Sequence, residues 1–339
     1  MFAVAPGCVT LRSTMNYDII ATLGPHSDTP AIWQGMLDAG ATVFRLNTSH
    51  LSLTQLGQWL DQLTPFLSAL NPIPPLALDL QGSKWRLGEF ATHMLEPGQS
   101  IELVYASTSD RSNTLPVPHA DFFLAAPVSS EEIVANDAKI KLLREAVKPE
   151  SVRARVIVGG EISARKGITF AASDYRREEL SDKDRAILDR TRHLPFVRYA
   201  ISYIRDAREM QKYRTHFGNA VYLVAKLERR TAMDDVSQIA ACADELWLCR
   251  GDLGAELGLR AMAEAALRFA TAIGDLPIPA LLAGQVLEHM TDHPMPTRSE
   301  VCYLYEALVK GYRGFVLSDE AAIGRYPIES CRTAALFRN

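Results

Sequence analysis

Short apolar runs rich in β-branched residues recur along the chain, and nearly all are followed by a longer segment with helical spacing of apolar positions. This alternation is typical of a parallel sheet whose outer face is covered by helices. Eight such runs predict an α/β fold, a closed (β/α)₈ TIM barrel. An open doubly wound sheet is the alternative, but no G-x-G-x-x-G segment follows the first run. The runs cover residues 18–24, 41–47, 75–80, 196–202, 221–227, 245–250, 278–283 and 314–318.

One interval lacks this alternation of strands and helices. Residues 83–166 contain short strand-like pieces separated by Pro, Gly and Asn turns rather than a clear strand–helix unit. We predict a small, mainly β domain inserted in a barrel loop, where it forms a cap over the carboxyl ends of the strands. The expected division is an N-terminal tail at 1–16, a TIM barrel at 17–82 and 167–339, and the inserted β domain at 83–166.

Composition narrows the partners that the chain can have. Its 339 residues, 47% hydrophobic and 22% charged, suffice for one large barrel with a small domain. A net charge of −4 provides no basic field for nucleic acid and no polybasic membrane anchor. No run resembles a signal peptide or a membrane span, and the five cysteines lack C-x-x-C spacing. We therefore expect a cytoplasmic protein with reduced thiols.

The ends of the predicted strands carry the candidate chemistry, because barrel active sites collect there. Lys226 and Glu228 are two positions apart, so both side chains point to one face of the strand. Asp252 stands between Gly251 and Gly254, which let the backbone approach a ligand. Two carboxylates from adjacent strands suit Mg²⁺ or Mn²⁺, and the ammonium beside them suits a phosphoryl group. The alternatives are an ordinary ion pair and glycines that serve only the turn.

The second run ends in a further group of polar residues. Arg45 and Asn47 share a face, and a fixed guanidinium there is a natural clamp for an anion. Oxygen atoms of Asn47 and Ser49 are candidate ligands for a monovalent cation. His50 is better explained as a structural residue than as a proton carrier, since nothing adjacent in the sequence tunes it.

The third run ends in Asp79 and is followed by Lys84 and Arg86. These two cations would add positive charge at the hinge of the inserted domain. A solvated surface face is the alternative.

Segments at these positions form a series along the chain. They are R-L-N-T-S-H at 45–50, N-D-A at 136–138, R-K-G at 165–167, K-L-E at 226–228, R-G-D-L-G at 250–254, P-T-R-S-E at 296–300, and S-D-E-A-A with Y-P between 318 and 327. In order and spacing the series resembles the motifs of the pyruvate kinase family from about residue 17 to 335. Pyruvate kinases transfer a phosphoryl group from phosphoenolpyruvate to ADP, giving pyruvate and ATP, with Mg²⁺.

The resemblance implies a role for each of these positions. Lys226 would stabilise the phosphoryl group in transfer, with Arg45 beside it, and Glu228 and Asp252 would hold Mg²⁺ or Mn²⁺. The other implied roles are substrate or phosphate contacts from Arg45, Arg86, Lys166, Gly251, Asp252 and Gly284, nucleotide contacts from Asn47, His50, Arg86 and Lys166, and a monovalent-cation site at Asn47, Ser49 and Asp79.

The chain also departs from the family pattern. The family's A-T-Q-M reads A-G-Q-V at 283–286, so Gly284 replaces the threonine associated with protonating the enolate. Leu80 lacks the hydroxyl that a threonine offers at the K⁺ site. Lys84 stands where most members carry Glu and resembles members that work without K⁺, so K⁺ is a disfavoured cofactor. The family's C-terminal effector domain is expected to be absent. Residues 296–300 resemble a segment near a subunit contact, so we expect at least a homodimer.

Three functions are compatible with these residues. The first is pyruvate kinase activity on phosphoenolpyruvate and ADP. The second is a Mg²⁺-dependent pyruvate-enolate enzyme of the 2-oxo acid aldolase or lyase type, which Gly284 favours; Arg86 and Lys166 instead favour phosphate handling. The third is a non-catalytic protein that binds phosphoenolpyruvate, which the retained Lys226 and the two carboxylates disfavour.

Overall fold

The computed structural model describes residues 15–136, 139–171 and 180–338. Eight parallel strands close into a barrel, each paired with the next along the chain and the last with the first, which confirms the predicted fold. Numbered over the whole chain, they are β1 (Asp18–Leu23), β2 (Val43–Asn47), β3 (Leu76–Leu80), β12 (Val197–Ile201), β13 (Tyr222–Leu227), β14 (Glu245–Cys249), β15 (Ala280–Ala283) and β16 (Gly314–Leu317).

Helices cover the outside of the barrel, and sequence signals set several of their ends. The side chains of Ser52 and Thr297 each form a capping box with the residue three positions later, Gln55 and Glu300. The barrel helices are α1 (Pro30–Asp38), α2 (Leu53–Ser68), α4 (Asp182–Thr191), α5 (Ala207–Phe217), α6 (Arg230–Asp234), α7 (Val236–Ala240), α8 (Arg250–Leu257), α9 (Leu259–Ala272), α10 (Arg298–Lys310), α11 (Asp319–Ala322) and α12 (Pro327–Ala334), with 3₁₀ turns at Thr48–His50, Ile273–Asp275 and Glu288–Thr291.

A second unit, which we call the cap, is built from the chain between β3 and α4. Its elements are β4 (His93–Leu95), β5 (Ser100–Val104), β6 (Thr114–Pro116), α3 (Ala120–Ala125), β7 (Glu132–Ala135), β8 (Ile140–Lys148), β9 (Ser151–Val158), β10 (Gly160–Ile162) and β11 (Ile168–Phe170). A six-stranded sheet has the order β11-β7-β8-β9-β5-β6, and a two-stranded sheet pairs β4 with β10. The cap has a separate core of aliphatic and aromatic side chains, in which the rings of Phe122 and Phe170 stack at 4.6 Å between centroids.

Two observations bear on the expected division of the chain, which stays a prediction. Strand β11 pairs with β7 of the cap and lies beyond the expected boundary at residue 166. Met15, assigned to the N-terminal tail, donates its backbone N–H to the carbonyl of Phe337 at 2.9 Å and forms an isolated bridge with Arg338. Residues 1–14, and residues 137–138 of the N-D-A segment, lie outside the described part of the chain.

Two further features are the state of the cysteines and the length of the helices. The four cysteines in the described ranges are free thiols, and Cys8 lies outside those ranges. None of the helices in the described part of the chain combines the length and the apolarity needed to cross a membrane.

Candidate functional site

A layer of polar side chains lies directly above the apolar interior of the barrel. Inside the barrel, apolar side chains from all eight strands form one cluster, and five of them are followed two positions later by a polar residue that belongs to one hydrogen-bonded network. Because side chains alternate between the two faces of a strand, these polar residues face the same interior near the carboxyl ends. The apolar residues are Ile20, Val43, Ala77, Ala200 and Val224, and the polar ones are Thr22, Arg45, Asp79, Ser202 and Lys226.

Asp79 is the centre of this layer. Its Oδ2 accepts hydrogen bonds from Nε and Nη2 of Arg45, at 2.8 and 2.5 Å. Its Oδ1 accepts from Oγ of Ser202 and from Nζ of Lys226, each at 3.1 Å. The remaining nitrogen Nη1 of Arg45 donates to Oγ1 of Thr22 at 2.7 Å. One buried carboxylate therefore fixes both the guanidinium and the ammonium of the layer.

Lys226 is held as a permanent cation. Its Nζ lies 2.9 Å from Oε1 of Glu228 and donates to Oγ of Ser202 at 2.8 Å. Burial alone would lower the pKa of Lys226, but the charges of Asp79 and Glu228 outweigh burial and raise it above its ordinary value. In the same way, burial tends to raise the pKa of Asp79, and the charges of Lys226 and Arg45 bring it down to about 2. Both groups are therefore charged at neutral pH.

Two carboxylates follow the ends of the adjacent strands β13 and β14. Glu228 follows β13 and is buried, and its Oε2 accepts the backbone N–H of Tyr203 at 2.7 Å. Asp252 lies in the first turn of α8, and its Oδ1 contacts Nζ of Lys84 at 2.5 Å.

Glu228 and Asp252 act on one another electrostatically. Burial raises the pKa of Glu228, the charge of Lys226 opposes that rise, and the charge of Asp252 adds to it. Burial would also raise the pKa of Asp252, but Lys84 lowers it. Among the described residues no group of three or more His, Cys, Asp or Glu side chains is arranged to hold a metal. A pair of carboxylates with hard oxygen atoms still fits Mg²⁺ or Mn²⁺, which take their other ligands from substrate and water.

The 3₁₀ turn after β2 brings the proposed monovalent-cation residues next to Asp79. Oδ1 of Asn47 accepts the backbone N–H of Ser49 at 3.3 Å and so caps the turn. Oγ1 of Thr48 donates to the backbone carbonyl of Asp79 at 2.7 Å, which joins the turn to β3. Lys183 donates to the carbonyl of Thr48 at 2.6 Å. Asn47 thus has a structural function in the turn, and its cation and nucleotide contacts stay predictions.

A rim of basic residues lies where the cap meets the barrel. Arg86 forms an isolated bridge with Gly167, and its Nη1 donates to the carbonyl of Arg165 at 2.8 Å. Arg165 in turn donates from Nη1 to the carbonyl of His50 at 3.0 Å and pairs with Glu89 at 2.6 Å. The rim therefore connects the cap to the turn after β2 through backbone carbonyls.

His50 lies at the opening of this rim. Solvent reaches its side chain, yet crowding by the surrounding protein removes enough hydration to lower its pKa, and nearby positive charges lower it further. The ring is therefore neutral at pH 7. These charges belong to Arg86, Lys166, Lys84 and Arg45.

The loop after β15 has a backbone conformation that glycine adopts more readily than other residues. Gly284 has φ +80°, a left-handed conformation that side chains with a Cβ rarely adopt. A Cβ there would lie 3.1 Å from the backbone nitrogen of Gly251 and 3.3 Å from that of Arg250. The guanidinium of Arg250 donates to the carbonyls of Gly284 and Gln285, at 2.5 and 2.9 Å from Nη2, and so fixes the loop. Position 284 is thus adjacent to the first turn of α8.

Sequence reasoning found most of this site and missed part of it. The structure brings Arg45, Asp79, Lys226 and Glu228 into one connected cluster and Lys84 onto Asp252. Sequence reasoning missed the hydroxyl groups of Thr22 and Ser202. Their position two residues after an interior apolar residue, at the end of a strand, was an available signal.

The chain is similar in sequence and in fold to known proteins. The family model of the pyruvate kinase barrel domain matches residues 14–331. A pyruvate kinase of Methylorubrum extorquens is 33% identical over 326 residues, which cover 95% of this chain and 68% of that protein. One of Agrobacterium vitis is 30% identical, with 94% and 68% covered. The crystal structure of a pyruvate kinase from Cryptosporidium parvum superposes with a TM-score of 0.79 at 21% identity, with 95% and 68% covered, which shows the shared fold.

Proposed function

Because the chain belongs to the pyruvate kinase family, we propose that it transfers a phosphoryl group from phosphoenolpyruvate to ADP, with Mg²⁺ or Mn²⁺ as the cofactor. The observation that carries the proposal is the buried ammonium of Lys226, 2.9 Å from Glu228 and 3.1 Å from Asp79. Phosphoryl transfer requires mainly positioning and charge neutralisation from a protein, and a permanent cation in a closed site provides both.

The metal would be held by Glu228 and Asp252. Both offer hard oxygen atoms. Burial and, after it, the charge of Asp252 raise the pKa of Glu228, and a bound cation would relieve the repulsion between the two carboxylates. When bound, the divalent ion supplies positive charge to the substrate oxygens. The residues proposed to hold K⁺ are Asn47, Ser49 and Asp79. In this proposal the ammonium of Lys84 supplies positive charge, so that K⁺ is not required.

The chain's own residues then have distinct tasks. Lys226 neutralises charge on the phosphoryl oxygens as the group moves, and Arg45, fixed by Asp79, orients the phosphate. Gly251 and Gly284, whose backbones lie close together, would contact the substrate through their backbone groups. From the rim and the cap, further phosphate and nucleotide contacts come from Asn47, His50, Arg86 and Lys166.

A coupled assay for released pyruvate tests the proposal. With Mg²⁺, phosphoenolpyruvate and ADP we expect turnover that depends on all three. Absence of ADP-dependent turnover, with other nucleoside diphosphates also inactive, would contradict the kinase assignment. Added K⁺ is expected to change the rate by less than about twofold, since the ammonium of Lys84 already supplies a local charge. A many-fold activation by K⁺ would overturn that part of the proposal.

One observation favours a second candidate, a Mg²⁺-dependent pyruvate-enolate enzyme of the 2-oxo acid aldolase or lyase type. Gly284 has φ +80° and no side chain, so the family's threonine hydroxyl is absent from a loop whose shape disfavours threonine. An enolate formed here would be open to another electrophile. Carbon–carbon cleavage of 2-oxo acids without nucleotide would support this candidate, and its absence alongside ADP-dependent turnover would exclude it.

We further propose that the chain forms at least a dimer through the region of residues 296–300. The capping box of Thr297 and Glu300 makes the start of α10 rigid, and the neighbouring Met295 is 70% exposed. Multi-angle light scattering at micromolar concentration should give at least twice the mass of one chain. A monomer at that concentration would refute the proposal.

A further inference from the structure

Lys84 and Asp252 form an ion pair that joins two distant parts of the chain. Lys84 lies in the segment after β3 that leads into the cap, and Asp252 lies at the start of α8. Their side chains are 9% and 17% exposed, and Nζ of Lys84 lies 2.5 Å from Oδ1 of Asp252. Under the proposed function Asp252 is a metal ligand. The ammonium therefore contacts the carboxylate that a divalent cation requires.

The path of the Lys84 side chain leaves little room beside that contact. It passes over Gly167, where a Cβ would lie 2.6 Å from Cε and 3.1 Å from Nζ of Lys84. A cavity of about 10 Å³ lies beside this contact, and residues of both the cap and the barrel line it. Such a space holds roughly one water molecule, so the ammonium of Lys84 fills the room on its side of Asp252 and occupies Oδ1 of that carboxylate. The cap contributes Val134, Ala135 and Ile168 to the lining, and the barrel contributes Tyr203 and Ala255.

We infer that the ammonium of Lys84 and a divalent cation compete for Oδ1 of Asp252, so that a cation binds there by displacing the ammonium. The inference rests on the proposed function, because it takes Asp252 as a metal ligand. No covalent bond is made or broken in the exchange; one cation replaces another at a carboxylate. Lys84 is thus a positioning residue that orients the carboxylate and lowers the affinity of the site for metal.

The exchange also connects the metal site to the cap. Lys84 is packed against Gly167, and Gly167 forms a bridge with Arg86 next to Lys166. The ammonium that contacts Asp252 therefore lies against a segment that joins the cap to the barrel.

Titration with Mn²⁺, followed by the electron paramagnetic resonance signal of the free ion, tests the inference on the full chain without substrate or nucleotide. Lys84→Met removes the ammonium and should tighten Mn²⁺ binding by at least about tenfold, since a competing charge is lost. Lys141→Met is the matched control, because Lys141 pairs with Glu132 on the cap surface, and its Mn²⁺ affinity should equal that of the wild type. Asp252→Asn should weaken binding in either background.

A second variant, at Gly167, keeps the ammonium of Lys84 and changes its position. Gly167→Ala places a methyl group against Cε of Lys84 and should displace the ammonium, giving tighter Mn²⁺ binding by a smaller factor than Lys84→Met. It also serves if Lys84→Met fails to fold.

The outcomes separate the two proposals. Equal Mn²⁺ affinity in the wild type, Lys84→Met and Gly167→Ala, with loss in Asp252→Asn, overturns the inference and leaves the metal site standing. No Mn²⁺ binding by any of these proteins overturns the metal site of the proposed function and the inference together.

Discussion

The inner cluster of the site and its outer rim are built on different principles. In the cluster, Asp79, Arg45 and Lys226 project from barrel strands and satisfy one another through side-chain contacts of 2.5–3.1 Å. In the rim, Arg86 and Arg165 donate to backbone carbonyls, and Arg165 also pairs with Glu89. Barrel strands thus set the positions of the cluster charges, whereas the segments that join cap and barrel set those of the rim. The difference separates groups suited to the chemical step from groups suited to admitting substrate.

The largest effect should come from the ammonium of the cluster. Lys226→Met should lower the rate of the proposed phosphoryl transfer by about 10³-fold or more, because one preorganised charge at a transferring group contributes that much. The coupled pyruvate assay measures it, with Lys141→Met as the control of equal charge change. A residual rate within tenfold of the wild type would remove Lys226 from the chemical step.

Asp79 should matter most for stability. Asp79→Asn leaves Arg45 and Lys226 without their shared carboxylate and should cost about 3 kcal/mol in the free energy of unfolding, as expected for breaking a buried pair. Because its pKa is lowered to about 2 in the folded state, the stabilisation is present above the unfolded pKa near 4 and is lost as pH falls toward 2.

Urea unfolding between pH 7 and pH 3 tests this expectation. The wild type should lose stability on acidification, and Asp79→Asn should lose less. Parallel curves for the two proteins would mean that the carboxylate is not held as described.

The loop after β15 should show an intermediate effect. Gly284→Ala introduces a Cβ at φ +80°, 3.1 Å from the nitrogen of Gly251, and should destabilise the fold by about 1–2 kcal/mol. Gly274→Ala, whose Cβ would meet nothing within 4 Å, is the control and should be close to neutral. If both variants unfold at the same urea concentration, the left-handed shape of the loop is not required.

The cap surface should show the smallest effect. Lys141 and Glu132 form an ion pair whose side chains are 43% and 47% exposed. Lys141→Met should change the free energy of unfolding by less than about 0.5 kcal/mol, because solvent screens such pairs. A loss above 1 kcal/mol would indicate that the cap depends on surface charge more than this description allows.

The contrast between cluster and rim also explains what the sequence could predict. The eight barrel strands were found because strands buried on both faces leave near-continuous apolar runs. Lys226 and Glu228 were found because two residues of a strand at spacing two share a face. Both signals are local, so a single sequence carries them.

The remaining contacts depend on distant parts of the chain. Lys84 and Asp252 are 168 positions apart, so no local sequence pattern predicts that they pair. The same holds for the backbone N–H of Tyr203 on Glu228 and for the pairing of Met15 with the chain end. Ser202 was missed because a serine after a strand is most often part of a turn.

A crystal structure grown with Mn²⁺ and oxalate, a stand-in for enolpyruvate, tests the central claim most directly. The account predicts an anomalous difference peak ligated by Glu228 and Asp252, with oxalate beside Nζ of Lys226 and the ammonium of Lys84 moved away from Asp252. An empty position at these carboxylates under saturating Mn²⁺ would contradict it.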